Sequence, residues 1–259
     1  MLFAKKVRIL EDHADLLRNS DKRLQMRDDL DSGDVFIVKN VFPRAKLIQL
    51  RDYLRQIGQS SLPNYQKIEK GAPNFHRMNV WDERSYVPGC FHQFSFFPWN
   101  QDIFHLFELA RDVYRMRNLL SNLEPDKFLQ RSPEDGCTAR LSIQFYPKSI
   151  GGLNNHVDPF DFHQFVVPIV IMSKKGVDFH EGGAFVETSD GRRLIVDDEA
   201  DIGDVVYFSA QMPHGVERID PKEEPDWASF RGRWIMLIAV NRLMSNLEIA
   251  DAINLENSV

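Results

Sequence analysis

The chain has 259 residues, enough for one large domain with a buried core and cramped for two. It is 43% hydrophobic and 27% charged with no low-complexity tract, which excludes a disordered or fibrous protein. A net charge of −6 argues against non-specific binding to nucleic acid or to an anionic membrane surface, while a small anion in a local basic pocket stays compatible with it.

The two cysteines, Cys90 and Cys137, share no motif, which fits a reducing compartment better than a structural disulfide. The basic residues among positions 1–8 run directly into Glu11, Asp12 and Asp15, with no apolar stretch of signal-peptide length. No window approaches the roughly 18 consecutive apolar residues of a membrane span. A soluble, cytoplasmic protein is the expectation.

Residues 1–33 are heavily charged and read as a solvated helix or a partly ordered arm. Val35-Phe36-Ile37-Val38 is a β-branched run of strand type. Pro43 opens a helical segment through Gln56, with Leu47, Leu50, Leu54 and Ile57 recurring at three and four residues and Gly58 as its stop. Residues 59–101 mix Pro, Asn and Ser with large rings such as Phe75, Trp81, Phe94 and Trp99. They show no period and read either as a lid or wall over a substrate site or as packed core. A helical pattern returns over 103–123 through Phe104, Leu106, Phe107, Ala110, Val113, Leu119 and Leu120.

From residue 137 onward the character is β. Short runs at 139–146, 165–172, 184–188, 193–196, 205–208, 215–219 and 234–240 are separated by Gly- and Asp-containing turns, the pattern of a sandwich or barrel. Residues 245–255 read as a final helix, with Ser245 as N-cap and Glu248 completing a capping box. The expected layout is one domain, mainly β with flanking helices: a helical and loop part over 1–136, a β core over 137–242 and a C-terminal helix over 243–259.

The chemistry concentrates in Asn154-Asn155-His156-Val157-Asp158. On an extended strand, side chains two apart face the same way, so His156 and Asp158 can reach one metal. His214, in Met212-Pro213-His214-Gly215-Val216, is the best third ligand. Two imidazoles and a carboxylate on one face leave three coordination positions open, an arrangement suited to non-haem Fe(II) oxygenases. A lone His-x-Asp is common by chance, and the ordered context is what raises its value.

That context resembles the 2-oxoglutarate/Fe(II) dioxygenase superfamily, in particular its prolyl-4-hydroxylase-like branch. The resemblance rests on an ordered set: Tyr146, the Gly151-Gly152 turn, His156-Val157-Asp158, then Gly182-Gly183-Ala184-Phe185. It continues through Gly203-Asp204-Val205-Val206-Tyr207-Phe208, His214-Gly215-Val216 and Arg233-Trp234-Ile235-Met236-Leu237, covering about residues 137–242. The resemblance implies a double-stranded β-helix, or jelly roll, preceded by N-terminal helices. It implies Fe(II) on His156, Asp158 and His214, with 2-oxoglutarate and O₂ as co-substrates and Tyr146 hydrogen-bonding the 2-oxoglutarate. Related halogenases lack the carboxylate ligand, so Asp158 implies hydroxylation of an unactivated C–H rather than halogenation, with release of succinate and CO₂; desaturation and ring formation stay open.

Arg233 has its own warrant, because a planar guanidinium can hold the carboxylate tail of 2-oxoglutarate bidentately. Arg233, Ile235, Leu237 and Ala239 share one strand face, and Arg231, on the same parity, is the rival beyond an acidic stretch from Asp220 to Asp226. On the strand before the metal motif, Arg140, Ser142, Gln144 and Tyr146 alternate with Leu141, Ile143 and Phe145. The polar row reads as facing a cavity, where Gln144 and Arg140 could bind co-substrate or substrate, or as a solvated face. His163 and His180 lack a partner two residues away, and His76 and Arg77 are weak substrate-site candidates. The expected partner is a small-molecule substrate, with no nucleic acid and no membrane; oligomeric state is open. Rival readings are a cupin-like ligand-binding module without turnover, a Zn²⁺-dependent isomerase or hydrolase on the same ligands, and a protein side-chain hydroxylase.

Overall fold

The computed structural model describes residues 1–63, 67–81, 85, 87–160, 163–243 and 252–256. Its charged N-terminus is ordered into the sheet: Lys6–Leu10 (β1) pairs in parallel with Asp34–Val38 (β2), and helices His13–Arg18 (α1) and Ser20–Asp31 (α2) connect them. The solvated-helix reading therefore holds over α1 and α2, and the partly ordered arm is corrected. Its charges have a buried target, because Asp34 is 2% exposed and receives Arg8 Nε at 2.5 Å. Asp12 and Asn19 cap the two helices with their side-chain oxygens.

Strand β2 is buried on both faces: Phe36 and Val38 pack toward the helices, Val35 and Ile37 toward the interior of the sheet. Helix Arg44–Ser60 (α3) starts after Pro43 and buries Leu47, Leu50 and Leu54, as their spacing requires. Gly58 does not stop it. A Cβ on Gly58 would lie 2.3 Å from Phe230 Cζ, so the glycine is a point of close approach between helix and ring.

The segment 59–101 contains two strands, Phe75–Val80 (β3) and Gly89–Phe96 (β4), paired antiparallel. Their alternation was invisible because every residue of β4 is buried. The region 103–123 is broken rather than continuous: a 3₁₀ turn at Ile103–His105, then Leu106–Leu109 (α4) and Arg111–Leu120 (α5). Phe104 and His105 take left-handed φ values of 60° and 54°, which interrupts the helix.

The β core follows as Cys137–Pro147 (β5), Gly152–Val157 (β6), Val166–Ile171 (β7), Gly183–Glu187 (β8), Arg193–Ile195 (β9), Val205–Ser209 (β10), His214–Glu217 (β11) and Gly232–Arg242 (β12). The C-terminal helix expected over 245–255 lies for the most part outside the described residues. Within them Ile253–Asn254 (β13) is a strand on β6, so that end of the expected helix is corrected.

The strands run in the order β1-β2-β10-β7-β12-β5-β4-β6-β11-β8-β9. The turn-over comes where β4 pairs with both β5 and β6. One buried cluster joins Ile37, Val167, Val206 and Ile235 of the larger face to Val186 and Val216 of the smaller, so the sheet curls into a jelly roll. A second cluster packs α2, α3 and α5 against the outer face of the larger sheet, with Leu141, Ile143, Phe145 and Trp234 contributing from β5 and β12. Cys90 and Cys137 are buried thiols that form no disulfide.

Candidate active site

Strand β6 delivers His156 and, one residue past its end, Asp158; β11 begins with His214, directly opposite His156 in the antiparallel ladder. The Asp158 N–H donates to the Ala210 carbonyl at 3.0 Å, fixing the exit of β6. One ligand atom from each of His156, Asp158 and His214 lies within 4.8 Å of the others. His156 Nε2 is 3.9 Å from Asp158 Oδ1 and His214 Nε2 is 3.6 Å from Asp158 Oδ2.

Both imidazoles are held from behind. His156 Nδ1 donates to the Asn154 carbonyl and His214 Nδ1 to the Met212 carbonyl, each at 2.9 Å. Tying Nδ1–H to a carbonyl puts the lone pair on Nε2, which is how metal-ligating histidines are oriented. Burial pushes the His214 pKa down to about 4, with His156 adding to the effect, so the ring is neutral near pH 7 and its lone pair is available.

The triad opens on a cavity of about 280 Å³ that Arg233, Tyr146, Gln144 and Arg140 also line. The alternation on β5 thus has a structural basis: Arg140, Gln144 and Tyr146 of its polar row line the cavity, and Leu141, Ile143 and Phe145 face the helices. Tyr146 and Arg233 stand opposite each other on the β5–β12 ladder, with the guanidinium 5.8 Å from the ring centroid. Burial raises the Tyr146 pKa, so the phenol is protonated; it donates to Gln144 Oε1 at 2.7 Å.

Arg233 is 1% exposed and meets a residue that sequence reasoning missed. Its Nε–H is shared by the two carboxylate oxygens of Asp197, at 3.0 and 2.9 Å, while Nη2 has no hydrogen-bond partner. Asp197 also accepts the Ala184 N–H at 2.6 Å. A Cβ on Gly183, at φ +123°, would come within 2.9 Å of Asp197 Oδ2, so that glycine leaves room for the carboxylate. No local signal marks Asp197, one of three consecutive acids, Asp197-Asp198-Glu199.

Arg231 is exposed and lines a separate outer hollow with Arg51, Lys148, His180 and Glu223. His163 lies on the cavity wall but is not one of the triad's ligand atoms. Phe75 and Arg77 of β3 also line the cavity, whereas His76 faces away and contacts His92 at 2.9 Å.

No protein-family profile matches the sequence, and no curated protein matches it. Solved structures do. A prolyl-4-hydroxylase from Pseudomonas putida superposes with a TM-score of 0.51 at 15% identity, over 85% of this chain and 98% of that one. JOX2, in complex with 2OG, Fe and JA, gives 0.54 at 12% identity over 97% and 78%. A full-length Neurospora crassa protein in complex with alpha-KG and thymine gives 0.52 at 12% identity over 91% and 85%. At these identities the likeness establishes architecture, and the chain shares the jelly-roll fold of these three proteins.

Proposed function

We propose that the chain is a 2-oxoglutarate- and Fe(II)-dependent oxygenase that hydroxylates a small molecule. The observation that carries the reading is the convergence of His156, Asp158 and His214, with both Nδ1 atoms tied to carbonyls, on a cavity that also receives the unpartnered Nη2 of Arg233. The donor set fits Fe(II), since two imidazoles and one carboxylate leave positions for further ligands. Bound there, the metal would couple O₂ reduction to decarboxylation of 2-oxoglutarate and oxidation of a C–H bond.

The chain's own residues would divide the remaining tasks. Arg233 offers a buried guanidinium edge to the distal carboxylate, held in place by Asp197 on its Nε side. Gln144, its Oε1 taken by Tyr146, keeps its amide donor for the cavity. Ile171, Ile235 and Phe208 wall the site with apolar surface and exclude water. Arg231, facing the outer hollow, is not part of this proposal.

The test is succinate formation from 2-oxoglutarate with Fe(II) in air, paired with 2-oxoglutarate binding to Arg233→Ala and Arg231→Ala. We expect Arg233→Ala to weaken binding some 30-fold or more, the cost of removing one partner of a buried charge pair. Loss in Arg231→Ala alone would reverse the assignment. Absence of succinate would favour a ligand-binding module without turnover.

A further inference from the structure

The proposed co-substrate site accounts for one end of the cavity; strands β3 and β4 form another part of its wall. Phe75, Arg77 and Asn79 alternate along β3 and all line the cavity, as do Phe91 and Gln93 of β4. Asn79 pairs with Phe91 and Arg77 with Gln93, so Asn79 and Gln93 are diagonal neighbours on one face. In such pairs the Cβ atoms lie roughly 7 Å apart. The Phe91 ring packs at 5.3 Å from that of Tyr146, so it stands between Asn79 and the co-substrate residues.

Each of these two amides is half satisfied by a protein hydroxyl. Asn79 is 1% exposed; its Oδ1 accepts from Ser85 Oγ at 3.1 Å, while its Nδ2 has no partner. Gln93 is 4% exposed and donates its Nε2 to Ser95 Oγ at 2.9 Å, which leaves its Oε1 for the cavity. A buried N–H without an acceptor is costly, and folded proteins leave few of them. At a cavity wall the missing acceptor can come from a ligand. A donor beside an acceptor is the complement of a cis CO–NH edge, in which oxygen and N–H point the same way. Both protein groups are neutral, and burying a carboxylate against neutral amides costs more than their hydrogen bonds return. The cations of the wall do not alter this, because Arg77, Arg140 and Arg242 already have partners and Lys67 is exposed to water. Phe75, Val87 and Leu153 supply apolar surface around the pair.

We infer that the substrate is a neutral cyclic secondary amide, a lactam on an apolar body, whose carbonyl accepts from Asn79 Nδ2 and whose N–H donates to Gln93 Oε1. The inference rests on the oxygenase reading for the reaction, but its binding part is measured without turnover. Protein loaded with Zn(II) and 2-oxoglutarate is screened by saturation-transfer NMR against small lactams. Each is set beside its N-methyl derivative, which lacks the N–H, its thiolactam, a weaker acceptor, and the open-chain acid of the same skeleton. Lactams should bind in clear excess over all three. Asn79→Leu should weaken them roughly 10-fold or more, as loss of a buried hydrogen-bond partner does, and erase their advantage over thiolactams. Gln93→Leu should erase the advantage over the N-methyl derivatives. A merely structural role for either residue would weaken every member of a set alike. If Asn79→Leu melts early, Asn79→Asp, which keeps an oxygen for Ser85 and loses the donor, is read by the same criterion. Equal binding of lactams and their N-methyl derivatives, a preference for the acids, no binders at all, or an unchanged thiolactam penalty in the Asn79 variant overturns the inference. Fe(II)-dependent succinate formation without any pool member tests the oxygenase reading separately.

Discussion

Asp197 grips Arg233 through the Nε–H alone, with both carboxylate oxygens within 3.0 Å and both side chains 1% exposed. Such a pair is expensive to break and cheap to replace. Asp197→Ala would strand a buried guanidinium and the Ala184 N–H together, a loss of about 3–5 kcal/mol. Replacing both partners, as in Asp197→Ala with Arg233→Met, should recover much of that loss, because an apolar pair of similar volume is often neutral. Urea unfolding of the single and double variants measures this. A single-variant loss under about 1 kcal/mol would mean the pair is not the buried contact described.

The triad makes a prediction about metal in the absence of any substrate. A metal that binds only the folded state stabilises it by about 2.7 kcal/mol at 100 times its Kd. Anaerobic Fe(II) should therefore raise the melting temperature, and a chelator should reverse the rise. His156→Ala, Asp158→Ala and His214→Ala should each erase the shift, since two remaining ligands cannot hold the facial geometry. A full shift in any one variant would remove that residue from the site.

Much of this site was legible in the sequence, and for a physical reason. A strand facing a cavity on one side and helices on the other must alternate, and residues 140–146 of β5 do. Likewise His156 and Asp158 share a face because strand side chains repeat every two residues. What was not legible depended on partners far along the chain. Gly58 looks like a helix stop until Phe230 is seen against it. Strand β4 lost its alternation because both of its faces are covered. The charges of β1 look solvated until the buried Asp34 is placed beside Arg8.

Acid stability should depend on a pair of histidines outside the active site. His76 Nε2 and His92 Nδ1 lie 2.9 Å apart, both rings buried, with His92 also against Phe145, Trp227 and Phe230. Burial lowers the His76 pKa to about 4; burial, then His76 nearby, lowers that of His92 to about 3. Folded values below the unfolded value near 6.5 mean that the unfolded chain binds more protons, so stability falls as pH drops below about 6.5. The slope is at most about 1.4 kcal/mol per pH unit for each ring, and it levels off once the folded rings titrate. His92→Leu should flatten the slope between about pH 6 and 4.5 by up to one ring's share. Unfolding free energies at stepped pH check it, and an unchanged slope would rule out His92 as a contributor.

The aromatic segment yields the last prediction, because its rings occupy three different environments. Phe94 on β4 is 2% exposed, within 4.5 Å of the His76 ring centroid and stacked at 6.2 Å on Trp234. Trp81, just past β3, is 44% exposed and takes no part in lining the cavity. Phe75 stands between them, half-buried, on the cavity wall and 6.0 Å from Phe97. Truncating Phe94 to Ala removes packed core and should lower stability by about 3–5 kcal/mol. The same change at Trp81 should stay within about 0.5 kcal/mol, as exposed substitutions usually do. Phe75→Ala should fall between the two in stability, because one side of the ring faces the cavity and the other packs toward Phe97. Melting curves for the three variants assign each ring its role. An early-melting Trp81→Ala would return that ring to the core, and a Phe75→Ala as costly as Phe94→Ala would make Phe75 core rather than cavity wall.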